Sequence, residues 1–261
     1  MFLRMNEKID EIGFGDLKLI QSEDGFRYGV DAVLLADFAA SIISGTQAGR
    51  LEEISGRISV SGIRIFDLGT GSGVIPLILS HKVPDSRITG VELQEESVER
   101  ARRTVALNGL ESRIDILHRD VKDMRKGYRA VSHIVVSNPP YMERGSGLIN
   151  EDSAKMIARH ETTAGLKDFF IAASHLLDKK GHFFMVHRPY RLADIFCFAR
   201  ETGFEAKTMR LVAPCEDREP NIVLMHFIKG AGKQLKVMKQ LNVHDVNGLY
   251  TEEIDRIYER I

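Results

Sequence analysis

The stretch Ile63-Arg64-Ile65-Phe66-Asp67-Leu68-Gly69-Thr70-Gly71-Ser72-Gly73 predicts the fold of this chain. Its first four residues are typical of a strand that is buried on both faces of a sheet. The glycine-rich loop follows, and Val74 to His81 then has the pattern of a helix. A strand, a glycine loop and a helix in this order bring a ligand close to backbone N–H groups at a helix N-terminus.

The spacing of the glycines indicates which kind of ligand this loop accepts. Gly69, Gly71 and Gly73 alternate behind Asp67, whereas dinucleotide sites carry Gly-x-Gly-x-x-Gly. Without a pyrophosphate to hold, the loop is predicted to pass under an amino-acid-like group. Asp67 would then face the positive end of that ligand.

Two further acidic residues follow predicted strands. The apolar run from Ile88 to Val91 ends in Glu92, about 20 residues beyond the glycines, where a carboxylate can accept both hydroxyls of a ribose. Ile114 to His118 predicts a third strand, and Asp120 beyond it can accept a bond from an adenine amino group while the backbone of Val121 meets the ring edge. Taken singly, each acid is better explained as a solvated loop residue or a helix cap.

A fourth predicted strand, Val131 to Val136, ends in Asn138-Pro139-Pro140-Tyr141. The amide oxygen of Asn138 and a backbone carbonyl of the proline pair can accept both N–H bonds of an –NH2 group. The prolines have a fixed φ and no N–H, so they hold the turn rigid, and Tyr141 offers a flat face for a planar group. The alternative is a turn that only ends the strand.

The four strand ends share one predicted place in the fold. The carboxyl ends of parallel strands meet at one edge of a sheet, which is where ligands bind in open α/β sheets. The polar side chains predicted at that edge are Asp67, Glu92, Asp120 and Asn138.

With these motifs the sequence resembles the class I S-adenosylmethionine-dependent methyltransferases. Within them it is similar to the bacterial tRNA adenine-N6-methyltransferases, which act on the adenine beside the anticodon of a valine tRNA. The resemblance covers roughly Gly13 to Lys229 and includes Phe26 to Leu35, where many members have Thr at the position of Val30. Arg159-His160-Glu161 and His187-Arg188-Pro189 also lie where that family has such clusters.

The resemblance implies an α/β fold with a Rossmann-like seven-stranded class I methyltransferase sheet, helices on both faces and a final antiparallel hairpin. It implies S-adenosylmethionine as cofactor, S-adenosylhomocysteine as product and tRNA as partner, with the target base flipped onto Tyr141. The implied catalytic residues are Asn138, Pro139, Pro140 and Tyr141. The implied cofactor contacts are Asp67, Gly69, Gly71, Glu92, Asp120, Val121 and Asn138.

Three alternatives remain open from the sequence. Glutamine methyltransferases of peptide release factors carry the same Asn-Pro-Pro-Tyr, although they have a longer helical N-terminal domain and a different segment where this chain has Arg27 to Asp31. N2-guanine methyltransferases of ribosomal RNA more often have Phe in place of the tyrosine. A cofactor-binding module without catalytic activity is the non-enzyme alternative.

Composition restricts the class of protein. A chain of 261 residues with 43% hydrophobic content can form one substantial core. The two cysteines, Cys197 and Cys215, predict no disulfide framework, and Met1 to Gly15 lacks the apolar segment of a signal peptide. The longest apolar stretch, Ala32 to Ile43, is far shorter than a membrane span. We therefore expect a cytoplasmic protein without a membrane partner.

Charge is distributed unevenly although the net charge is only −1. Positions 99–129 hold nine basic and five acidic side chains, and positions 229–239 hold four lysines and no acid. Positions 1–62 hold six basic and ten acidic side chains. Such asymmetry fits a polyanion-binding face as well as ordinary solvated helices.

The remaining elements give a three-part organisation. We expect an extension (1–62), the methyltransferase domain (63–229) and a tail (230–261) packing on it. The extension holds a hairpin of Leu17–Ile20 with Phe26–Tyr28, a helix capped by Asp31 and ending at Ile43, and a linker from Ser44 to Gly62. Helices are also predicted at Glu95–Asn108, Leu166–Leu177, Arg191–Glu201 and Glu252–Glu259, and strands at His182–Val186, Ala206–Leu211 and Asn221–Phe227.

The segment from Met142 to Ala164 is predicted to be a substrate loop that becomes ordered over bound substrate. His160 and Glu161 within it carry little weight as an acid/base pair, because positioning accounts for most of the acceleration of methyl transfer to an oriented amine. No cluster of histidine, cysteine and carboxylate has the spacing of a metal site, so no metal is expected. A monomer is favoured.

Overall fold

The computed structural model describes residues 3–23, 28–47, 62–141 and 164–261. In that part of the chain the helices are α1 Val30–Gln47, α2 Val74–Lys82, α3 Glu95–Leu107, α4 Leu166–Leu176, α5 Leu192–Glu201 and α6 Glu252–Ile257. The strands are β1 Glu7–Glu11, β2 Lys18–Ser22, β3 Ile63–Leu68, β4 Ser86–Glu92, β5 Ile114–His118, β6 Ser132–Ser137, β7 Leu177–His187, β8 Phe204–Ala213, β9 Ile222–Lys229, β10 Lys236–Val237 and β11 Leu241–Asn242. Short 3-10 turns occupy Val121–Arg125 and Pro189–Arg191.

The large sheet has the strand order β10-β8-β9-β7-β6-β3-β4-β5, and β11 also pairs with β8. Strands β5, β4, β3, β6 and β7 are parallel, while β9 runs antiparallel to both β7 and β8. The predicted α/β sheet with a final antiparallel hairpin is therefore confirmed. The sheet is wider than the seven strands expected, because β10 and β11 from the chain after position 230 pair in parallel with the outer edge of β8.

Helices cover both faces of the sheet, and its strands are accordingly apolar at successive positions. Ile65 belongs to a core that includes residues of α1, α2, α3 and α6, whereas the adjacent Phe66 belongs to a core with α4 and α5. Phe170 of α4 stands at the centre of the second core, where it makes edge contacts with Phe183 and Phe227. Two-sided burial fixes the direction of every strand side chain and holds the strand ends in register.

The N-terminal hairpin contains a strand that differs from the one predicted. Leu17–Ile20 does lie largely in β2, and β2 pairs antiparallel with the preceding strand β1. Tyr28 is not in a strand, and Phe26 and Arg27 lie outside the described residues. The hairpin is fastened to α3, since Glu7 of β1 accepts bonds from Arg103, which lower the pKa of Glu7 to about 2.

The first long helix also differs from its prediction at both ends. Helix α1 begins at Val30, so Asp31 lies in the first turn instead of capping the helix. It continues past Ile43 to Gln47, so the start of the expected linker is helical, and positions 48–61 lie outside the described residues. No helix in the described ranges has the length and apolar character needed to cross a membrane.

Candidate active site

The glycine loop between β3 and α2 takes its shape from three glycines with left-handed backbone. Gly69, Gly71 and Gly73 have φ values of 77°, 56° and 84°. Residues with a Cβ atom rarely adopt such positive φ values, whereas glycine does so readily. The loop is fixed to the end of β4, because the N–H groups of Gly69 and Thr70 both donate to the carbonyl of Val91 at 2.9 and 3.0 Å. A Cβ at Gly71 would meet nothing within 4 Å, so the outer side of the loop is open.

Asp67 lies below this loop and is completely buried. Neither of its carboxylate oxygens has a hydrogen-bond partner of good geometry in the described part of the chain. Burial raises the pKa of Asp67 to about 7, with a further rise from Glu92, although the nearby Thr70 hydroxyl acts in the opposite direction. Space for Thr70 exists because the neighbouring strand has Gly90 there, where a Cβ would come within 2.9 Å of the threonine side chain.

Glu92 closes the other side of the loop. One of its carboxylate oxygens accepts the N–H of Gly71 at 2.9 Å, and the second accepts the N–H groups of Leu93 and Gln94, both at 2.8 Å. These bonds fix the carboxylate at the tip of β4, directly beside the glycine loop. The oxygen that accepts only from Gly71 keeps a further lone pair for a ligand.

Asp120 lies one strand further along the same edge and has a structural role of its own. Its carboxylate accepts the N–H of Lys122 at 2.8 Å and caps the 3-10 turn that begins at Val121. The side chain keeps 19% of its surface exposed, and an ion pair of 3.5 Å joins it to the ammonium of Lys122.

Asn138 follows the strand that adjoins β3. Strands β3 and β6 are parallel with Leu68 paired to Ser137, and the Ser137 hydroxyl donates to the Leu68 carbonyl at 2.8 Å. The glycine loop and the Asn138-Pro139-Pro140-Tyr141 segment therefore leave adjacent strands at the same level. The sheet brings together the loop, Glu92 and Asn138 at one edge.

Tyr141 connects Asn138 to a residue far away in sequence. Its hydroxyl oxygen lies 2.6 Å from a carboxylate oxygen of Asp31 and 2.7 Å from Oδ1 of Asn138. A phenol has one proton to donate, so it can satisfy only one of these two acceptors at a time. Burial and the negative charge of Asp31 raise the pKa of Tyr141, which keeps the phenol protonated.

The Tyr141 ring is contacted by residues at the end of β7 and directly after it. The guanidinium of Arg188 lies over the ring, 4.4 Å from its centre, and comes within 3.5 Å of Asp31. His187 packs against the ring edge-on, and burial together with the charges of Arg191 and Arg188 lowers its pKa to about 4. The hydroxyl of Tyr190 donates to the Tyr141 carbonyl at 3.2 Å.

A family model, the methyltransferase small domain, matches residues 51–194, which is more than half of the chain. The chain belongs to the methyltransferase small domain family.

Curated relatives of this family member carry the name tRNA1(Val) (adenine(37)-N6)-methyltransferase. The relative from Porphyromonas gingivalis is 28% identical over 255 residues, which cover 96% of this chain and 94% of the relative. The relative from Aeromonas salmonicida is 30% identical over 192 residues, which cover 72% of this chain and 78% of the relative. The protein is therefore a methyltransferase that depends on S-adenosylmethionine.

Solved structures have the same fold. A predicted O-methyltransferase from Agrobacterium tumefaciens superposes with a TM-score of 0.65 at 22% identity, over 88% of this chain and 95% of that one. A 16S rRNA N2-guanine methyltransferase from Thermus thermophilus, in complex with AdoMet and guanosine, superposes with a TM-score of 0.54 at 21% identity, over 85% of this chain and 50% of that one.

The residues of this methyltransferase fit its cofactor. S-adenosylmethionine carries positive charge, and Asp67 is a buried carboxyl without a hydrogen-bond partner of good geometry among the described residues. The outer side of the glycine loop at Gly71 is open, and the Glu92 carboxylate is held beside it by backbone N–H groups. A buried acid and an anchored acid at an open glycine loop suit a cationic ligand that also carries hydroxyl donors.

Sequence reasoning missed Asp31 and gave Arg188 and His187 only as part of a family cluster. A signal for Asp31 did exist, because the Phe26 to Leu35 segment resembles a family segment, but its expected role was a helix cap. The predicted substrate loop from 142 onward and Arg159-His160-Glu161 lie outside the described residues, apart from Ala164.

Proposed function

We propose that this methyltransferase methylates N6 of an adenine in tRNA, at the position beside the anticodon of a valine tRNA, in the cytoplasm. The curated relatives that match over most of the chain have this activity in their names. The observation that carries the proposal is the pairing of Leu68 with Ser137. It sets the glycine loop and Asn138 side by side, so a methyl donor on the loop and an amine at Asn138 come together.

Asn138 and the proline pair would hold the target amine. An amide oxygen and a backbone carbonyl accept its two N–H bonds and direct the nitrogen lone pair at the methyl group. S-adenosylmethionine, when bound, supplies that methyl group in electrophilic form on a sulfonium sulfur. Orientation of this kind contributes the larger part of the acceleration, and the amine can lose its proton after transfer.

The Tyr141 hydroxyl and Asp31 decide which way the Asn138 carboxamide faces. A carboxylate accepts a stronger hydrogen bond than an amide oxygen, so the tyrosine O–H donates to Asp31. With the O–H directed at Asp31, Oδ1 of Asn138 lies only 2.7 Å from the phenol oxygen with no proton between them. A half-turn of the carboxamide removes this repulsion: the –NH2 of Asn138 then donates to Tyr141, and Oδ1 faces the substrate amine.

Tyr141 would also provide the surface on which the flipped base stacks. The guanidinium of Arg188 covers one face of this ring and also donates to the carbonyl of Asn221 at 3.0 Å. A flat guanidinium and a flat base compete for the same kind of surface. Before the substrate binds, Arg188 therefore occupies the face of the Tyr141 ring on which the base would stack.

The first experiment measures methyl transfer from labelled S-adenosylmethionine to total tRNA, ribosomal RNA and release factors in parallel. The acceptors come from a strain that lacks this gene, so their sites are unmodified. Label recovered as N6-methyladenine in tRNA supports the proposal. Label on a release-factor glutamine or on guanine of ribosomal RNA would overturn the proposed substrate, while methyl transfer to an –NH2 group would remain the reaction.

The Asn138→Ala variant tests the assigned role of that side chain. We expect loss of turnover, with S-adenosylmethionine affinity within several-fold of wild type, because the amide acts on the reacting nitrogen. Calorimetric titration with the cofactor shows whether the variant is folded and competent to bind. Turnover near the wild-type rate would contradict the mechanism.

A further inference from the structure

Two basic segments that are distant in sequence meet at a cleft on the opposite edge of the sheet from Asn138. The cleft has a volume of about 360 Å³ and is lined by Arg125, Arg129, His175 and Lys229, together with Ser174 and Thr202. The two arginines come from the basic stretch at 99–129, and Lys229 begins the lysine-rich stretch at 229–239. Residues from both basic stretches of the sequence thus lie next to each other at this cleft.

Most other arginines of the first stretch already have internal partners. Arg103 and Arg100 pair with Glu7, Arg102 donates to the Ile116 carbonyl, and Arg113 donates to the Ser80 carbonyl. These side chains fasten α3 and β5 to their neighbours.

Arg125 and Arg129 differ from those arginines, because neither has an ion pair or a hydrogen bond within the described ranges. Both are exposed at the rim of the cleft. They remain available to a ligand.

The floor of the cleft is rigid. The ammonium of Lys229 donates to the carbonyls of Ser174 and Leu177, the latter at 2.8 Å, and so neutralises the negative C-terminal end of α4. The N–H of Ala130 donates to the carbonyl of His175 at 3.0 Å, which fixes the backbone next to Arg129. Lys229 therefore has a structural reason to be present, whereas the two arginines do not.

The cations of the cleft repel one another. Burial and the charge of Arg129 lower the pKa of Lys229, against an opposing effect of Asp178. Burial and the charges of Arg129, Lys229 and Arg125 lower the pKa of His175. A bound anion would relieve this repulsion, and its presence would favour the charged forms of both groups.

We propose that this cleft binds a backbone phosphate of the RNA substrate. The inference rests on the proposed function, since it assigns the tRNA a second contact away from the target base. Exposed arginines at the rim of an open cleft suit the phosphate of a polymer, whereas small-molecule sites enclose most of the ligand surface. From Arg129 to Asn138 the chain runs mainly as β6, so the two sites are no more than about 30 Å apart at roughly 3.3 Å per residue. An RNA stem-loop is long enough to reach both.

The test compares the double variant Arg125→Gln/Arg129→Gln with a control, Arg87→Gln/Lys18→Gln, which removes the same charge from two exposed positions outside both basic stretches. Affinity for the tRNA is measured by fluorescence anisotropy over a range of salt concentrations. For the cleft variant we expect affinity to fall roughly tenfold or more and the salt slope to decrease by about two, because two phosphate contacts are lost. In turnover assays its KM for tRNA should rise while kcat and cofactor affinity stay unchanged.

Equal affinities and equal salt slopes for the two double variants would overturn the proposal, even if the wild-type enzyme methylates tRNA. Binding is measured without turnover, so the result is independent of which base is modified. A second arm titrates inorganic phosphate and follows the His175 ring by NMR. Tight phosphate binding with tRNA affinity unaffected by the arginine changes would assign the cleft to a small anion and would also overturn the proposal.

Discussion

Replacing Asp31 with alanine should reduce turnover although Asp31 contacts no reacting atom. In the wild-type protein the Tyr141 hydroxyl lies 2.6 Å from Asp31 and 2.7 Å from Oδ1 of Asn138. Without the carboxylate, the phenol proton has only the Asn138 oxygen to bind. That oxygen would then be held toward the tyrosine and away from the substrate amine.

The size of the effect follows from the bond that must be broken. Turning Oδ1 toward the substrate costs the new hydrogen bond to Tyr141, which is worth roughly 1–2 kcal/mol in a buried site. We therefore expect kcat to fall about 5- to 30-fold. Cofactor affinity should stay within about twofold, because Asp31 contacts Tyr141 and Arg188 rather than the glycine loop.

Single-turnover kinetics on unmodified tRNA measure this effect, with two further variants as controls. Asp31→Asn keeps an acceptor oxygen near the phenol, so its kcat should lie closer to wild type than that of Asp31→Ala. Tyr141→Phe keeps the ring and removes the hydroxyl. On that background Asp31→Ala should change kcat less than twofold, which gives a coupling energy of roughly 1–2 kcal/mol.

The reasoning fails if Asp31→Ala lowers kcat by the same factor in the wild-type enzyme and in the Tyr141→Phe variant, since the acid would then act without the hydroxyl. It also fails if Asp31→Ala retains full turnover. Thermal unfolding of each variant separates these outcomes from a loss of fold, because Asp31 lies in the first turn of α1, where an acid stabilises the helix by about 0.3–1 kcal/mol.

Three other predictions concern the cofactor and the pH dependence of stability. Glu92→Ala should weaken cofactor binding at least tenfold by calorimetry, because a charge-assisted bond is worth roughly 1.5–3 kcal/mol; unchanged affinity would remove Glu92 from the cofactor site. Because the pKa of Asp67 is raised from 3.8 to about 7, its contribution to the free energy of unfolding should decrease by roughly 4 kcal/mol as pH rises from about 4 to 7, which urea titrations measure as the difference between wild type and Asp67→Asn. The stacked pair His182 and His226 acts with the opposite sign: burial lowers the pKa of His182 to about 4 and that of His226 well below its usual value, so the pair's contribution to stability should be lost as pH falls below about 6.5, and replacing both by Gln should flatten that part of the profile.

The sheet, and the edge at which the glycine loop, Glu92 and Asn138 meet, could be predicted from the sequence because their determinants are local. Left-handed backbone at Gly69, Gly71 and Gly73 requires glycine, so the loop is visible as a spacing. The strand before it, β3, is apolar at most successive positions because both of its faces are buried. Neither feature depends on a distant partner.

The hairpin could not be predicted correctly because its first strand is stabilised from outside. The residues of β1, Glu7-Lys8-Ile9-Asp10-Glu11, are mostly charged and do not look like a strand. Their place in the fold depends on Arg103 of α3, which binds Glu7 across 96 positions of sequence. Similarly, the charge of the basic stretches did not indicate which arginines are paired internally and which face solvent.

Asp31 shows the same limit at the site itself. Near the start of a helix an acid is expected for local reasons, and that expectation needs no other residue. Its contact with Tyr141 spans 110 positions and arises only because α1 packs against the sheet beside the end of β7. A local pattern cannot distinguish a helix-stabilising acid from one that accepts a hydrogen bond from a residue of the site.

The arrangement over Tyr141 also bears on the choice between a base and a glutamine as acceptor, since both are compatible with Asn138 and the prolines. Either acceptor that stacks on the ring face covered by Arg188 must displace its guanidinium, which lies 4.4 Å from the ring centre. Loss of such a cation–π contact costs about 0.5–2 kcal/mol. Stacking of a nucleobase on an aromatic ring returns roughly 1–3 kcal/mol, which offsets that cost. A side-chain amide has no aromatic face and returns less. An Arg188 that covers the ring therefore opposes binding of a glutamine more than binding of an adenine, and this difference favours the nucleic-acid substrate.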